Sequence, residues 1–133
     1  MVRQAHHDRY MLTVILDGDN VIRALGLVRG QDLSPVEGFL QKLEMAAVSK
    51  DWEVIAVFDG PERFLPRESG PLVVRHPKPG TTADTLIERL VYQAADRTHM
   101  VVVTRDRAES NLVLGLGARV WNADRLLEEM GYT

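Results

Sequence analysis

Short apolar runs alternate with amphipathic stretches along the whole chain, and most of the runs close on an acidic or glycine-containing turn. The first is residues 12–16 (Leu-Thr-Val-Ile-Leu), which lead straight into Asp17-Gly18-Asp19-Asn20. An uninterrupted apolar run of this length reads as a strand buried on both faces, the kind found in parallel sheets covered by helices. Residues 21–27 can form a short helix, ended near Gly26 or Gly30. Ser34-Pro35-Val36-Glu37 has the form of a helix start, with Ser34 as N-cap and proline at the first position; Val36, Phe39, Leu40, Leu43 and Ala47 then share one face. Residues 54–58 predict a second buried strand ending in Asp59-Gly60. Residues 61–80 hold five of the six prolines and so read mostly as loop, with a short third strand at 72–75 of the kind that proline flanks allow at a sheet edge.

Thr81-Thr82-Ala83-Asp84 opens the next helix, whose apolar stripe is Ala83, Leu86, Ile87, Leu90 and Ala94. Residues 100–104 predict a fourth strand, followed by Arg105-Asp106-Arg107-Ala108-Glu109 and a helix to about Leu114. Gly115-Leu116-Gly117 turns the chain into a fifth strand at 118–121. Asn122 or Asp124 caps a last helix that faces inward through Leu126, Leu127 and Met130. Strands alternate with helices and no two-residue hairpin signal occurs. The expectation is a single three-layer α/β domain with a parallel sheet and helices on both faces.

Composition narrows the class. A chain of 133 residues, 45% hydrophobic and 26% charged, suits one ordinary globular domain. With no cysteine, disulfide frameworks and thiolate metal sites are excluded; this fits a reducing cytoplasm, the expected location. No apolar run approaches membrane-spanning length. Residues 1–10 are polar, carry His6 and His7, and read as a flexible N-terminal segment ahead of a domain at 11–133. The net charge of −3 gives no bulk case for nucleic acid. Its distribution does more: within residues 61–80, Arg63, Arg67, Arg75 and Lys78 stand against Glu62 and Glu68, four basic residues against two acidic ones, leaving +2. A basic rim beside an acidic pocket suits a phosphodiester substrate.

The acidic residues fall at matching places. Asp17 and Asp59 end the first two strands, Asp106 follows the fourth, and Asp84 lies in the first turn of the helix before it. In open α/β sheets ligands sit beyond the carboxyl ends of the strands, at the point where strand order reverses. If strand four lies beside strand one, Asp17, Asp84 and Asp106 converge there with Asp59 on the flank. Each also has a purely structural role open to it: Asp84 as a first-turn helix acid, Asp106 with Glu109 as a capping box, and Asp59-Gly60-Pro61 as a turn. Two carboxylates ~5 Å apart at an effective dielectric of ~20 repel by about 3 kcal/mol, so a converged set calls for a counter-ion or raised pKa values. A hard divalent cation such as Mg²⁺ or Mn²⁺ is the natural partner. It would bind through a few carboxylates plus substrate phosphate and act on a phosphodiester.

Taken in order, Leu16-Asp17-Gly18-Asp19-Asn20-Val21-Ile22, Val57-Phe58-Asp59-Gly60, Thr82-Ala83-Asp84 and Val103-Thr104-Arg105-Asp106-Arg107-Ala108-Glu109 resemble the YacP-like branch of the NYN/PIN-domain nucleases over roughly residues 11–130. The resemblance implies a PIN-like sheet of order 3-2-1-4-5 and Mg²⁺- or Mn²⁺-dependent endoribonuclease activity. It implies catalytic and metal-binding roles for Asp17, Asp84 and Asp106, with Asp59 and the extra carboxylate of Asp19 as further metal ligands. Asn20 would orient a ligand or water; with it, Arg63, Arg67, Lys78, Thr104, Arg105 and Arg107 are the candidates for contact with RNA, and the sequence leaves open whether the ribosome or another protein adds specificity. The chain departs from the branch at Asp19, where an aromatic is usual, and at Arg105, where a serine is usual.

Three rival readings share parts of this pattern. A haloacid-dehalogenase-like phosphatase would use Asp17 as nucleophile and Asp19 as acid/base, and a phosphorelay receiver would use Asp59. Both need a lysine late in the chain, and none follows Lys78. A PIN-like module that binds RNA or protein without cutting it is the remaining alternative.

Overall fold

The computed structural model describes residues 10–60, 67–68 and 70–132. The expected N-terminal segment at 1–10 therefore lies, apart from Tyr10, outside the described residues, as do Arg63 and the rest of 61–66. Five parallel strands form one sheet: β1 (Leu12–Asp17), β2 (Trp52–Val57), β3 (Leu72–Arg75), β4 (Met100–Val103) and β5 (Arg119–Trp121). Their order is β3-β2-β1-β4-β5, the order expected. The helices are α1 (Gly18–Ala24), α2 (Ser34–Lys50), α3 (Ala83–Gln93), α4 (Arg107–Gly115) and α5 (Ala123–Met130), with a 3-10 turn at Arg97–His99 before β4. Among the described residues no helix is long and apolar enough to cross a membrane.

β1 lies at the centre because its residues are apolar on both sides. Val14 and Leu16 join Val54, Ala56, Val101 and Val103 on one face, packed with Val36, Phe39, Leu40 and Leu43 of α2 and Leu126 of α5. Ile15 joins Val57 and Val102 on the other face, with Ala83, Leu86, Ile87 and Val91 of α3 and Val113 of α4. Each large side chain buried in this way contributes roughly 1.5–3 kcal/mol relative to exposure. The register sets Leu16 beside Ala56 and Val103, so β1, β2 and β4 end level with one another.

Several element ends differ from the expectation, each for a local reason. Helix α1 starts at Gly18 rather than near Val21, which draws Asp19 and Asn20 into its first turn. The first residue of α2 is Ser34, not its cap; Leu33 holds the cap position and Asp32 Oδ1 accepts from the Ser34 N–H at 3.0 Å. β2 begins two residues early because Asp51, in the left-handed conformation (φ 59°), ends α2 and turns the chain at once into Trp52. Glu53 breaks the apolar run in sequence, but its carboxylate accepts from the Thr13 hydroxyl on the neighbouring strand at 3.1 Å. Of the two candidate caps for α5, Asn122 is used, its Oδ1 accepting from the Arg125 N–H at 2.7 Å.

Candidate metal centre

The level ends of β1, β2 and β4 bring three helix starts to one edge of the sheet. Asp17 closes β1 and occupies the cap position of α1, yet its carboxylate makes no cap bond. It accepts instead from the Thr104 hydroxyl, 3.2 Å away at the end of β4. That hydroxyl in turn accepts from the Asp106 N–H at 3.1 Å. Asp84 stands in the first turn of α3, behind the Thr82 cap. Glu109 stands in the first turn of α4, behind the Asp106 cap, whose Oδ1 accepts from the Glu109 N–H at 2.9 Å.

One carboxylate oxygen from each of Asp17, Asp84 and Glu109 lies within 4.8 Å of the others, the one group of three potential metal-ligating side chains among the described residues. Asp17 and Glu109 are buried, at 8% and 3% exposure, and Asp84 is the more open of the three. Both oxygens of Glu109 are buried without a hydrogen-bond partner. Burial pushes the Glu109 carboxyl up to about 9, helped by Asp84, whose carboxylate can accept its proton, and by the charge of Asp17; the Thr104 hydroxyl works against these. Asp17 is pushed up to about 6, again by burial first; Thr104 lowers it, while the charges of Asp84 and Asp19 raise it further. The N-termini of α3 and α4 carry partial positive charge and favour anions here, but they leave two of the three carboxyls holding protons too tightly for their type. An oxygen-lined pocket that is acidic, partly dry and short of donors has the donor set of a hard divalent cation.

A family model for the YacP-like NYN domain matches residues 14–133. The chain belongs to the YacP-like NYN domain family. Among solved structures, it is similar to the crystal structure of Rae1 (YacP) from Bacillus subtilis, with 28% identity, a TM-score of 0.68, and coverage of 90% of this chain and 74% of that one. A tryptophan-to-leucine variant of the same Bacillus subtilis protein matches with the same identity and TM-score over 75% of its length. No curated protein gives a significant match. The YacP-like fold thus extends from β1 through α5, and every residue of the acidic group lies inside the matched span.

Within this YacP-like domain the residues singled out by sequence divide into two sets. Asp17 and Asp84 meet, and Glu109 joins them. Asp106 is not in the group; its carboxylate caps α4 and its N–H is taken by Thr104. Asp59 Oδ1 accepts from the Ala83 N–H at 2.8 Å, and Asp19 Oδ2 from the Asp59 N–H at 2.7 Å. Asn20 Oδ1 accepts from the Arg105 N–H at 2.8 Å. Lys78, Arg105 and Arg107 are exposed. Arg67 pairs with Glu37 of α2 at 3.3 Å, its side chain only 12% exposed. Glu109 is the carboxylate that the sequence pattern pairs with Asp106 in a capping box. Only half of that box forms, because the N–H that the Glu109 side chain would have taken goes to Thr104, which leaves the carboxylate to turn inward. Its position four residues before the buried Val113 was the available signal.

Proposed function

We propose that this YacP-like protein is a metal-dependent endoribonuclease and that Asp17, Asp84 and Glu109 hold a Mg²⁺ or Mn²⁺ ion at the carboxyl edge of the sheet. The observation that carries this is the convergence of three carboxylates: one oxygen each from Asp17, Asp84 and Glu109 lies within 4.8 Å of the others, and both Glu109 oxygens are buried with no hydrogen bond of ordinary geometry. Gathering three acids at one buried edge costs free energy that a bound cation would offset. Membership of a ribonuclease-type family supports RNA as the substrate.

When bound, the ion would lower the pKa of a coordinated water and stabilise the leaving oxygen of a phosphodiester. The chain supplies the rest. Thr104 fixes the orientation of Asp17 by donating to its carboxylate, and Asp106 sets the first turn of α4 and so places Glu109. Asn20 holds the Arg105 backbone, which directs that exposed guanidinium to the rim. Arg105, Arg107 and Lys78 supply positive charge for RNA phosphates, and Arg63, outside the described residues, is grouped with them by its place in the sequence after β2.

The test is a cleavage assay on mixed RNAs with Mg²⁺ and Mn²⁺, run beside Asp17→Asn and Glu109→Gln. Cleavage that needs the ion, is abolished by EDTA and is lost in both variants is the expected result. Binding of RNA with no cleavage under any metal would replace the nuclease by a binding module.

A further inference from the structure

Two of the acids at this edge, Asp19 and Asp59, spend a carboxylate oxygen on backbone N–H groups of neighbouring segments. The bonds run in series. Asp19, in the first turn of α1, accepts from the N–H of Asp59 at the end of β2. Asp59 then accepts from the N–H of Ala83, the first residue of α3, and Asp84 is the next residue along. In the loop before α3, His76 Nδ1 lies 3.1 Å from the Phe58 carbonyl near its start; further on, Thr81 bonds to the Lys78 carbonyl within the same loop and Gly80 turns it at φ 87°, so the Asp59 bond is the one that reaches the helix start itself. Thr82 Oγ1 satisfies the Thr85 N–H at 3.3 Å, but Ala83 N–H is one of the donors that a helix start leaves without an internal partner. A carboxylate on that donor is a charge-assisted bond at the positive end of the helix.

Resting on the metal-centre reading above, we propose that Asp59 is a positioning residue: through its bond to the Ala83 N–H it holds the first turn of α3 where Asp84 meets Asp17 and Glu109. Asp19 supports it by fixing the Asp59 backbone. This assigns to both acids a task that needs an acceptor oxygen at a set place and does not need their charge on the metal. The distinction is measurable, because asparagine keeps the acceptor and drops the charge.

Loss of an outer partner of a metal ligand typically costs 10–100-fold in metal affinity or activity. Asp59→Ala should therefore weaken Mn²⁺ binding, read by thermal-shift titration, by about 10–100-fold. The kcat for RNA should fall similarly, with KM changed much less, since misplacement acts on the reacting geometry. Asp59→Asn should stay close to wild type on all three. Amide exchange of Ala83 in the metal-free protein reads the bond directly: protected in wild type and Asp59→Asn, fast in Asp59→Ala. If Asp59→Asn loses Mn²⁺ affinity as fully as Asp59→Ala, Asp59 is itself a ligand and the proposal is wrong. It is equally wrong if Asp59→Ala melts lower with its Mn²⁺ response intact. If Asp59→Ala does not fold, the Asp59→Asn titration still decides. A wild-type protein without any Mn²⁺ response removes the metal centre, and with it the catalytic meaning of Asp59, while protection at Ala83 would still report the bond.

Discussion

Gly18 lies directly against the ring of Phe58: a Cβ built on Gly18 would stand 2.6 Å from ring Cε1 and 2.7 Å from Cδ1 and Cζ. Phe58 is 1% exposed, so its ring cannot swing aside into solvent. Gly18 follows Asp17 and opens α1, and only a residue without a side chain lets β1 turn into α1 so close to the end of β2. Gly18→Ala should destabilise the protein by about 1–3 kcal/mol, as overpacking of a filled core does. Urea unfolding of Gly18→Ala, Phe58→Leu and the double variant should show a double variant more stable than the sum of the two losses. Strict additivity would mean that the two residues do not press on one another.

The raised pKa of Glu109 gives a stability prediction with a definite sign. In the folded state this carboxyl titrates near 9, against 4.5 as its ordinary value. Between those values the folded protein holds a proton that the unfolded chain has released. The associated stability is complete below about 4.5 and falls away as pH rises toward 9. Glu109→Gln lacks this contribution and keeps only that of Asp17, which is pushed up to about 6. In metal-free buffer it should melt higher than wild type at pH 8, and the gap should shrink steadily on acidification toward pH 4.5. A gap that is constant with pH would place Glu109 in contact with a compensating positive charge.

Asp84 raises the pKa of both of its buried neighbours. Asp84→Asn should therefore melt at the same or a higher temperature than wild type without metal, despite losing a first-turn acid worth roughly 0.3–1 kcal/mol at a helix N-terminus. Mg²⁺ or Mn²⁺ should stabilise wild type by about 2.7 kcal/mol at a hundredfold excess over the dissociation constant, and the variant by much less. A clearly lower metal-free melting point with an unchanged metal shift would make Asp84 a helix acid only.

RNA binding should draw on the exposed Arg105 and Arg107 rather than on Arg67. Each phosphate contact removed from a single strand flattens the salt dependence of binding by about 0.7 in the log–log slope. Arg105→Gln and Arg107→Gln should each do so while leaving the fold intact. Arg67→Gln should keep the slope and lower thermal stability, because its side chain is part-buried against Glu37. A slope unmoved in Arg107→Gln would take that residue off the RNA path.

The strands were legible in sequence because β1, β2 and β4 are apolar in continuous runs, and the order β3-β2-β1-β4-β5 came with the family motifs. Trp121 is part of the core: it is 7% exposed and tilts against Trp52, 5.9 Å between ring centres, with the Arg125 guanidinium over its ring at 5.4 Å. What sequence could not rank was which acid faces the pocket and which faces a backbone donor. Asp106 and Glu109 sit one helical turn apart, and the Thr104 hydroxyl, by taking the Asp106 N–H, leaves Asp106 as the cap and Glu109 turned inward. Asp19 and Asp59 each accept a backbone N–H, of Asp59 and of Ala83, and those bonds depend on contacts between segments far apart in the chain.

The bond from Thr104 to Asp17 joins residues 87 apart, and this distance sets a timetable for the protein as it is made. β1 is made before the other strands and can pair with β2, and β2 with β3, soon afterwards, while the other edge of β1 waits for β4. At synthesis rates of roughly 5–20 residues per second that edge stays open for seconds, presenting Val14, Ile15 and Leu16 as a template for mispairing. A nascent chain that has not yet reached Glu109 has only two of the three clustered carboxylates. Whatever chemistry the edge performs is thus withheld until α4 has been made and packed, a built-in delay between the first strand and a complete acidic group.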